Sequence, residues 1–421
     1  MRFAKTIAAA SVLAVASMTL GTAVMAAPSQ LTLWTHAAGN PAELKIIQQI
    51  STDFNASQSK YKVVIKKFPQ ADYNESVVAA AASKSLPDIL DLDGPNMPNW
   101  AWGKYIQPIT VPAATLKKFL PGTQGVYNGK LYSLGLYDAA AGIFARKSVL
   151  EKAGVRVPTV AKPWTGAEFD AALATFKKSG DFKYSIDMGT GWSGEWWPYG
   201  FSPFLQSFGG DLINRSNYTT AEGTLNGAAA LKWGKWFQGL FTKGYVNPKE
   251  TGGREAFLNG DAALQFNGNW AATDAYKKFG SDLLFLPTPD FGRGPKIGTS
   301  SWQWGVSSTT KNAAGANAWI NFATKDKYLV QFSNAIGLIP ATAAAAAKSI
   351  LYKKGSPYEV FPTLSAKFGL KRPPTPAYPI IAKAFEKAGT DIMNGADVQG
   401  ALDAAVDTIG ADLAANKNYK K

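Results

Sequence analysis

Three observations predict an α/β fold with more than one domain. Past its first segment the chain runs strand, helix, strand, helix, strand with short connections, the order that builds a parallel sheet with helices on its faces. The pattern restarts after residue 137. The length, 421 residues, allows two or three domains with cores of their own. Hydrophobic content of 46% and charged content of 18% are those of an ordinary globular chain.

The first strand, over 31–34, ends on Trp34 and leads to a loop at 35–40 that holds His36, the chain's one histidine. Pro41 suits a first helical turn, and Ile46, Ile47, Ile50 and Phe54 give that helix an apolar face. A second strand spans 61–68. Tyr73, Val77 and Ala81 share one side of a helix over 72–85, and Pro87 introduces a third strand, DILDLD, over 88–93. Ligands bind beyond the carboxyl ends of such strands, so the loops 34–40, 68–72 and 91–102 become candidates.

The second run has a small strand at 140–144, a helix at 147–153 closed by Gly154, and a longer helix at 166–178. A strand over 182–188 leaves through Gly189-Thr190-Gly191 into WSGEWWPY, and a helix over 199–208 stops at Gly209-Gly210. After a helix over 228–241 comes REAFLNGDAALQFNGNWAA at 254–272. It packs a short helix (254–258), an Asn-Gly turn and an apolar strand (262–266) ahead of Gly268-Asn269-Trp270. LLFLPTP at 283–289 is an extended crossing segment, and helices are predicted at 313–325, 327–334 and 342–352. GLKRPPTPAY at 369–378 is an extended arm stiffened by proline, and 379–416 is mostly amphipathic helix.

The N-terminus differs from the rest. MRFAK is basic, 7–20 is apolar, and Val24-Met25-Ala26 suits a cut before Ala27-Pro28, so 1–26 is predicted to be a secretory signal peptide. The apolar run is shorter than the roughly 20 residues of a membrane span. With no cysteine the exported chain has neither disulfides nor a residue to carry a lipid, which points to a periplasmic protein without a lipid anchor. Loss of Arg2 and Lys5 lowers the formal net charge from +14 to +12. The lysines are scattered in pairs such as Lys117-Lys118 and Lys277-Lys278, as on solvated helix faces, and together with export this argues against a nucleic-acid partner.

Catalytic kits are scarce. No cysteine hydrolase is possible, a Ser-His-Asp triad would need His36 as its base, and no G-x-S-x-G elbow is present. One histidine and no cysteine exclude metal sites built from those residues, and DLDGPN lacks the later Glu of a calcium loop. No phosphate-binding or dinucleotide-binding glycine motif appears. Asp91, Asp93, Asp138 and Glu195 could supply the two facing carboxylates of a glycoside hydrolase, which keeps an exported glycan-degrading enzyme as the alternative function. What the chain does have is tryptophan in loops: Trp34, Trp100 and Trp102, then Trp192, Trp196 and Trp197, then Trp270, then Trp302 and Trp304 within 298–305. Flat rings against the C–H faces of sugars, with Asp, Asn or Glu on the hydroxyls, hold a carbohydrate. Trp164, Trp233, Trp236 and Trp319 lie in or beside helices and are read as core.

LPDILDLDG followed by WAWGKYIQPI, then NGKLYSLGLYDAAAGIFARKSVLEKAGVRVP, PFLQSFGGDLI, EAFLNGDAALQFNGNWAA and IGLIPA come in order. This set resembles the landmarks of the family 1 extracellular solute-binding proteins, the maltose-type sugar receptors of bacterial ABC importers, and the resemblance covers 31–416. It implies a periplasmic-binding-protein-like fold, two α/β lobes joined by a hinge with the ligand cleft between them. The N-terminal lobe would be 27–138 plus 289–325 and the C-terminal lobe 139–288 plus 326–421. Crossings are expected near Tyr137-Asp138, at 286–289 and near Lys325.

By the same resemblance Trp270 is a stacking ring, Tyr199 lies near a second, and Tyr378 falls where the family places a further aromatic. Asp93 or Asp91 matches the carboxylate that grips hydroxyls, and Asp138 lies one residue from the hinge carboxylate. Trp34, His36, Tyr137, Trp192, Glu195, Trp196, Asn269, Trp302 and Trp304 complete the candidate set. Two departures stand out: Ala145-Arg146 replaces the family's Tyr-Asn, and HAAGN at 36–40 lacks the acidic and basic pair of the maltose receptor. The expectation is a monomeric, non-catalytic receptor without cofactor, whose partners are a carbohydrate and the permease subunits of an ABC importer. Its ligand would be a di- or oligosaccharide, with a monosaccharide or sugar alcohol as the variant within the class.

Overall fold

The computed structural model describes residues 27–248 and 255–420. The signal peptide over 1–26 and Arg254, the first residue of the helix expected at 254–258, lie outside the described residues. In chain order the strands are β1 (Ser29–Thr35), β2 (Tyr61–Lys67), β3 (Ile89–Asp93), β4 (Ile106–Gln107), β5 (Gln124–Tyr127), β6 (Lys130–Leu134), β7 (Tyr137–Asp138) and β8 (Ala141–Arg146). There follow β9 (Tyr184–Asp187), β10 (Ala262–Gly268), β11 (Leu283–Leu286), β12 (Ile297–Thr299), β13 (Trp302–Ser307), β14 (Ile339–Pro340) and β15 (Gly369–Lys371).

The first sheet has the order β2-β1-β3-β13-β6-β5, with β4 on β13. β1 runs parallel to β2 and β3, as the opening strand-helix alternation requires. The rest of the sheet is antiparallel, because β13 enters beside β3 from more than two hundred residues away. Trp302 and Trp304, expected in a loop, therefore lie on a central strand opposite Asp93 and Asp91. Likewise Trp100 and Trp102 sit on the helix Met97–Trp102, with Trp100 buried. The second sheet has the order β11-β8-β10-β9. β10 is buried along its whole length, which explains why AALQFNG shows no alternation of apolar and charged residues.

Two small pairings lie beside the main sheets: β7 with β14, antiparallel, and β12 with β15, parallel. Packing bears on two expected boundaries. The helix Asp326–Ile336 does not open the second lobe; it packs on the helix Pro41–Ser57 of the first, where Lys327 Nζ and Tyr328 OH each reach Asp53 at 2.7 Å. Lys325 only turns the chain between two helices of one layer, and the chain still bonds that layer at Ser349, whose hydroxyl meets Ser333 and donates to Asn334. Residues 290–296 stay with the second lobe, since Asp290 bonds Trp164 and Gly166 and Phe291 stacks on Phe208 at 4.4 Å. The return to the first sheet comes at Ser300, whose backbone is left-handed (φ 75).

The helix expected over 199–208 begins as a π-turn, Trp197–Phe201, and becomes α only at Ser202–Phe208. Pro203 has no N–H to return to the carbonyl of Tyr199, which favours the wider turn. The bulge sets Tyr199 and Trp196 at the boundary between the sheets.

Candidate functional site

The loops after β3, β9 and β10 and the arm 372–378 converge between the two sheets. Arg372, on the arm, is the central residue. Its Nη1 and Nη2 donate to Asp93 Oδ2 and Oδ1 at 2.9 and 3.1 Å, and Nη1 also donates to Glu195 Oε2 at 2.6 Å. Tyr378 OH donates to the same Glu195 oxygen at 2.5 Å. Asp93 closes β3 of the first sheet, whereas Glu195 follows β9 of the second. One guanidinium thus ties the lobes together, in the paired geometry that suits arginine and carboxylate. Arg372 and Asp93 are 6% and 4% exposed, so the link is out of water. Burial pushes the Glu195 carboxyl up, and Arg372 opposes it. Burial also opposes the Arg372 charge, but Asp93, Tyr378 and Glu195 together outweigh it.

A bank of rings adjoins this link. The Arg372 guanidinium stands 5.2 Å over the Tyr199 ring. Tyr199 lies 5.6 Å from Trp270 and 6.1 Å from Trp196, and Trp192 meets Trp196 edge-on at 4.9 Å. Trp270 lies flat over its own chain. A Cβ on Gly268 would meet the indole at 2.1 Å, so glycine there is a condition of the ring's position. The hydroxyl of Tyr199 and Nε of Arg372 are buried and have no protein partner, which leaves two donors unused beside these rings.

The sequence candidates divide by position. Asp93, Glu195, Tyr199, Tyr378, Trp192, Trp196 and Trp270 meet around Arg372. Trp302 lies at the end of β13 and is partly exposed. The others, apart from the half-buried Trp34, are turned inward. His36 Nδ1 bonds Asp91 at 2.6 Å, Tyr137 OH bonds Glu43 at 2.5 Å, and all three candidates are 4% exposed or less. Asn269 is fully buried, donating to Tyr352 OH and accepting from the Ala140 amide, so its polar atoms hold the crossing chain. Asp138 accepts from the amides of Ala139 and Ser300 and from Ser365 Oγ, a fastening of the same kind; burial raises its carboxyl. Trp304 packs edge-on against Trp319 at 4.9 Å inside the first lobe. Trp34 is covered by Phe68 at 4.7 Å and by Lys66 at 4.8 Å. Of the four carboxylates that a hydrolase might use, Asp91 is taken by His36, Asp138 by amides, and Asp93 and Glu195 share one arginine.

Arg372 was the residue that sequence reasoning missed. Its signal was a lone arginine held rigid by Pro373-Pro374, three residues before the buried Thr375-Pro376-Ala377-Tyr378 turn.

Comparison with known proteins adds the following. The family model described as bacterial extracellular solute-binding protein matches residues 49–356. The maltodextrin-binding protein MdxE of Bacillus subtilis (strain 168) is 24% identical over 236 residues, 54% of this chain and 54% of that protein. The chain thus spans about half the length of that curated relative. Among solved structures, the GacH receptor of Streptomyces glaucescens, described unliganded and in complex with acarbose, superposes with a TM-score of 0.76 at 22% identity, covering 93% of this chain and 100% of that one. The maltose/maltodextrin-binding domain MalE of Bdellovibrio bacteriovorus, bound to maltotriose, gives 0.74 at 17% identity, covering 91% and 100%. These likenesses show a shared fold.

Proposed function

Because the chain belongs to the bacterial extracellular solute-binding proteins, we propose that it is a periplasmic receptor that captures a di- or oligosaccharide between its lobes and delivers it to the permease of an ABC importer. The observation that carries this reading is the meeting of arginine-bound Asp93 and Glu195 with the rings of Tyr199, Trp196 and Trp270 between the two sheets. Sugars need both kinds of surface: a flat apolar face for the ring and fixed acceptors for paired hydroxyls. Carboxylates pinned by a guanidinium keep free lone pairs in fixed directions, and the unpaired Tyr199 hydroxyl and Arg372 Nε add donors. Several rings in a row suit more than one saccharide unit. The ligands named for the relatives (maltodextrin, acarbose, maltotriose) agree with that length.

Every crossing between the lobes is short, and Arg372 links them directly. Ligand closes such a hinge only through its greater affinity for the closed form. The predicted signal peptide supports a periplasmic location, and the reading assigns no catalytic step. Calorimetric titration against glucose, maltose, maltotriose, longer maltodextrins, other disaccharides and sugar alcohols tests the proposal. Saturable binding of an oligosaccharide that is recovered chemically unchanged is the expected result. Silence across the panel, or turnover of the sugar, would overturn it.

A further inference from the structure

We propose that His36 is a positioning residue: stacked beneath Trp302, it holds that indole as part of the cleft floor, and acts on bound saccharide through the ring rather than by contact. This rests on the carbohydrate reading above. The two rings lie 3.6 Å apart and 10° from parallel. That is much closer than the stacked Phe208–Phe291 pair at 4.4 Å. The indole belongs to the first residue of β13, opposite Asp93, so it lies beside the carboxylate that Arg372 binds. Tyr73 meets its edge at 5.7 Å, and part of its surface stays exposed.

The imidazole beneath it is held at both nitrogens. Nδ1 lies 2.6 Å from Asp91 Oδ2, and Nε2 lies 3.5 Å from Glu43 Oε2. Each carboxylate is itself fixed, Asp91 by the Thr35 hydroxyl at 2.9 Å and Glu43 by the Tyr137 hydroxyl and the Asn40 amide. Neither nitrogen is therefore free for a sugar hydroxyl, and His36 is only 4% exposed. A core packing role alone needs no such frame; any apolar ring would fill the space. The frame fixes the plane of the imidazole, and the plane of the imidazole fixes the plane of the indole. Burial disfavours the imidazolium, but Asp91 and Glu43 outweigh it, so a cation lies against one face of the indole at neutral pH.

The single histidine of the chain makes the test clean, because its ring gives one set of NMR signals in the intact protein. Those ring protons are expected upfield of their unfolded positions, less so in Trp302→Phe, and displaced again by saturating maltotriose. Ring protons at unfolded positions, or unmoved at saturation, overturn the proposal.

Variants supply the second arm. His36→Asn keeps a side-chain donor for Asp91 but removes the ring, and should weaken maltotriose binding by about fivefold or more. His36→Phe combined with Asp91→Asn and Glu43→Gln keeps a ring and leaves no carboxylate without its cation, and should bring affinity back to near the unsubstituted protein. Equal losses in both variants overturn the positioning role. If Trp302→Ala abolishes binding while His36→Asn leaves it intact, the positioning role falls and the carbohydrate reading stands. If the unsubstituted protein binds no sugar of the panel, the carbohydrate reading falls and takes this proposal with it.

Discussion

Between Asp91 and Glu43 the His36 imidazole keeps its proton up to about pH 10, against 6.5 for an unperturbed histidine. A folded-state value above the unfolded one contributes stability that is complete below about pH 6.5 and is lost as pH rises toward 10. Melting temperature should therefore decline between these values more steeply in the unsubstituted protein than in His36→Gln; parallel curves would show that the charge contributes nothing. Trp270→Ala should weaken oligosaccharide binding by about 1 kcal/mol or more, the scale of an aromatic contact beyond its area, and calorimetry reads the difference. Arg372→Met leaves Asp93 buried without its partner and should destabilise by about 3 kcal/mol, whereas adding Asp93→Asn should recover most of that loss in a denaturant titration. At this scale the sequence was legible where position alone decides: Asp93, Glu195, Tyr199, Trp270 and Tyr378 all follow strand ends or the arm, and they meet. It misled where the inward turn of a side chain decides. Asn269 and Asp138 stand in the right loops, but the chain's own amides and hydroxyls consume their polar atoms. No spacing rule reveals which partner a buried polar group will choose.

The elements carry a similar lesson. The opening strands and helices obey local periodicity, and their order β2-β1-β3 is that of a parallel α/β start. β13 escaped because SWQWGVS has the glycine and serine content of a loop, and only pairing with β3 and β6 makes it a strand. Trp100 and Trp102 escaped for the opposite reason: Pro98 suggests a loop but sits in the first turn of a helix, where proline is tolerated. Helix packing yields a matched pair of tests. In the helix Tyr378–Met393, a Cβ on Gly389 would come within 2.5 Å of the Trp197 ring on the π-turn. Gly389→Ala should therefore cost about 1–3 kcal/mol despite alanine's better helix propensity. Gly410, inside the helix Val398–Ala415, meets nothing within 4 Å, and Gly410→Ala should stabilise by about 0.5–1 kcal/mol. Thermal unfolding of the two variants should shift in opposite directions.

Across the whole molecule, Arg372 links Asp93 at the end of β3 in the first sheet to Glu195 beyond β9 of the second. Small-angle scattering should show the protein contract when oligosaccharide is added; identical profiles would argue against a closing hinge. The α/β class was readable because strand-helix order is local, whereas the two-lobed plan came from the resemblance, which follows sequence landmarks rather than packing. The position of β13 has a further consequence, for the life of the chain before it is folded. The first sheet has Ile89–Asp93 on one side of β13 and Lys130–Leu134 on the other, and neither half is closed until residues 302–307 arrive. A chain emerging N-terminus first carries a sheet with a gap at its centre until nearly three-quarters of it has been made. Such long-range pairing slows folding, and a chain that folds late stays threadable, which suits the export proposed above.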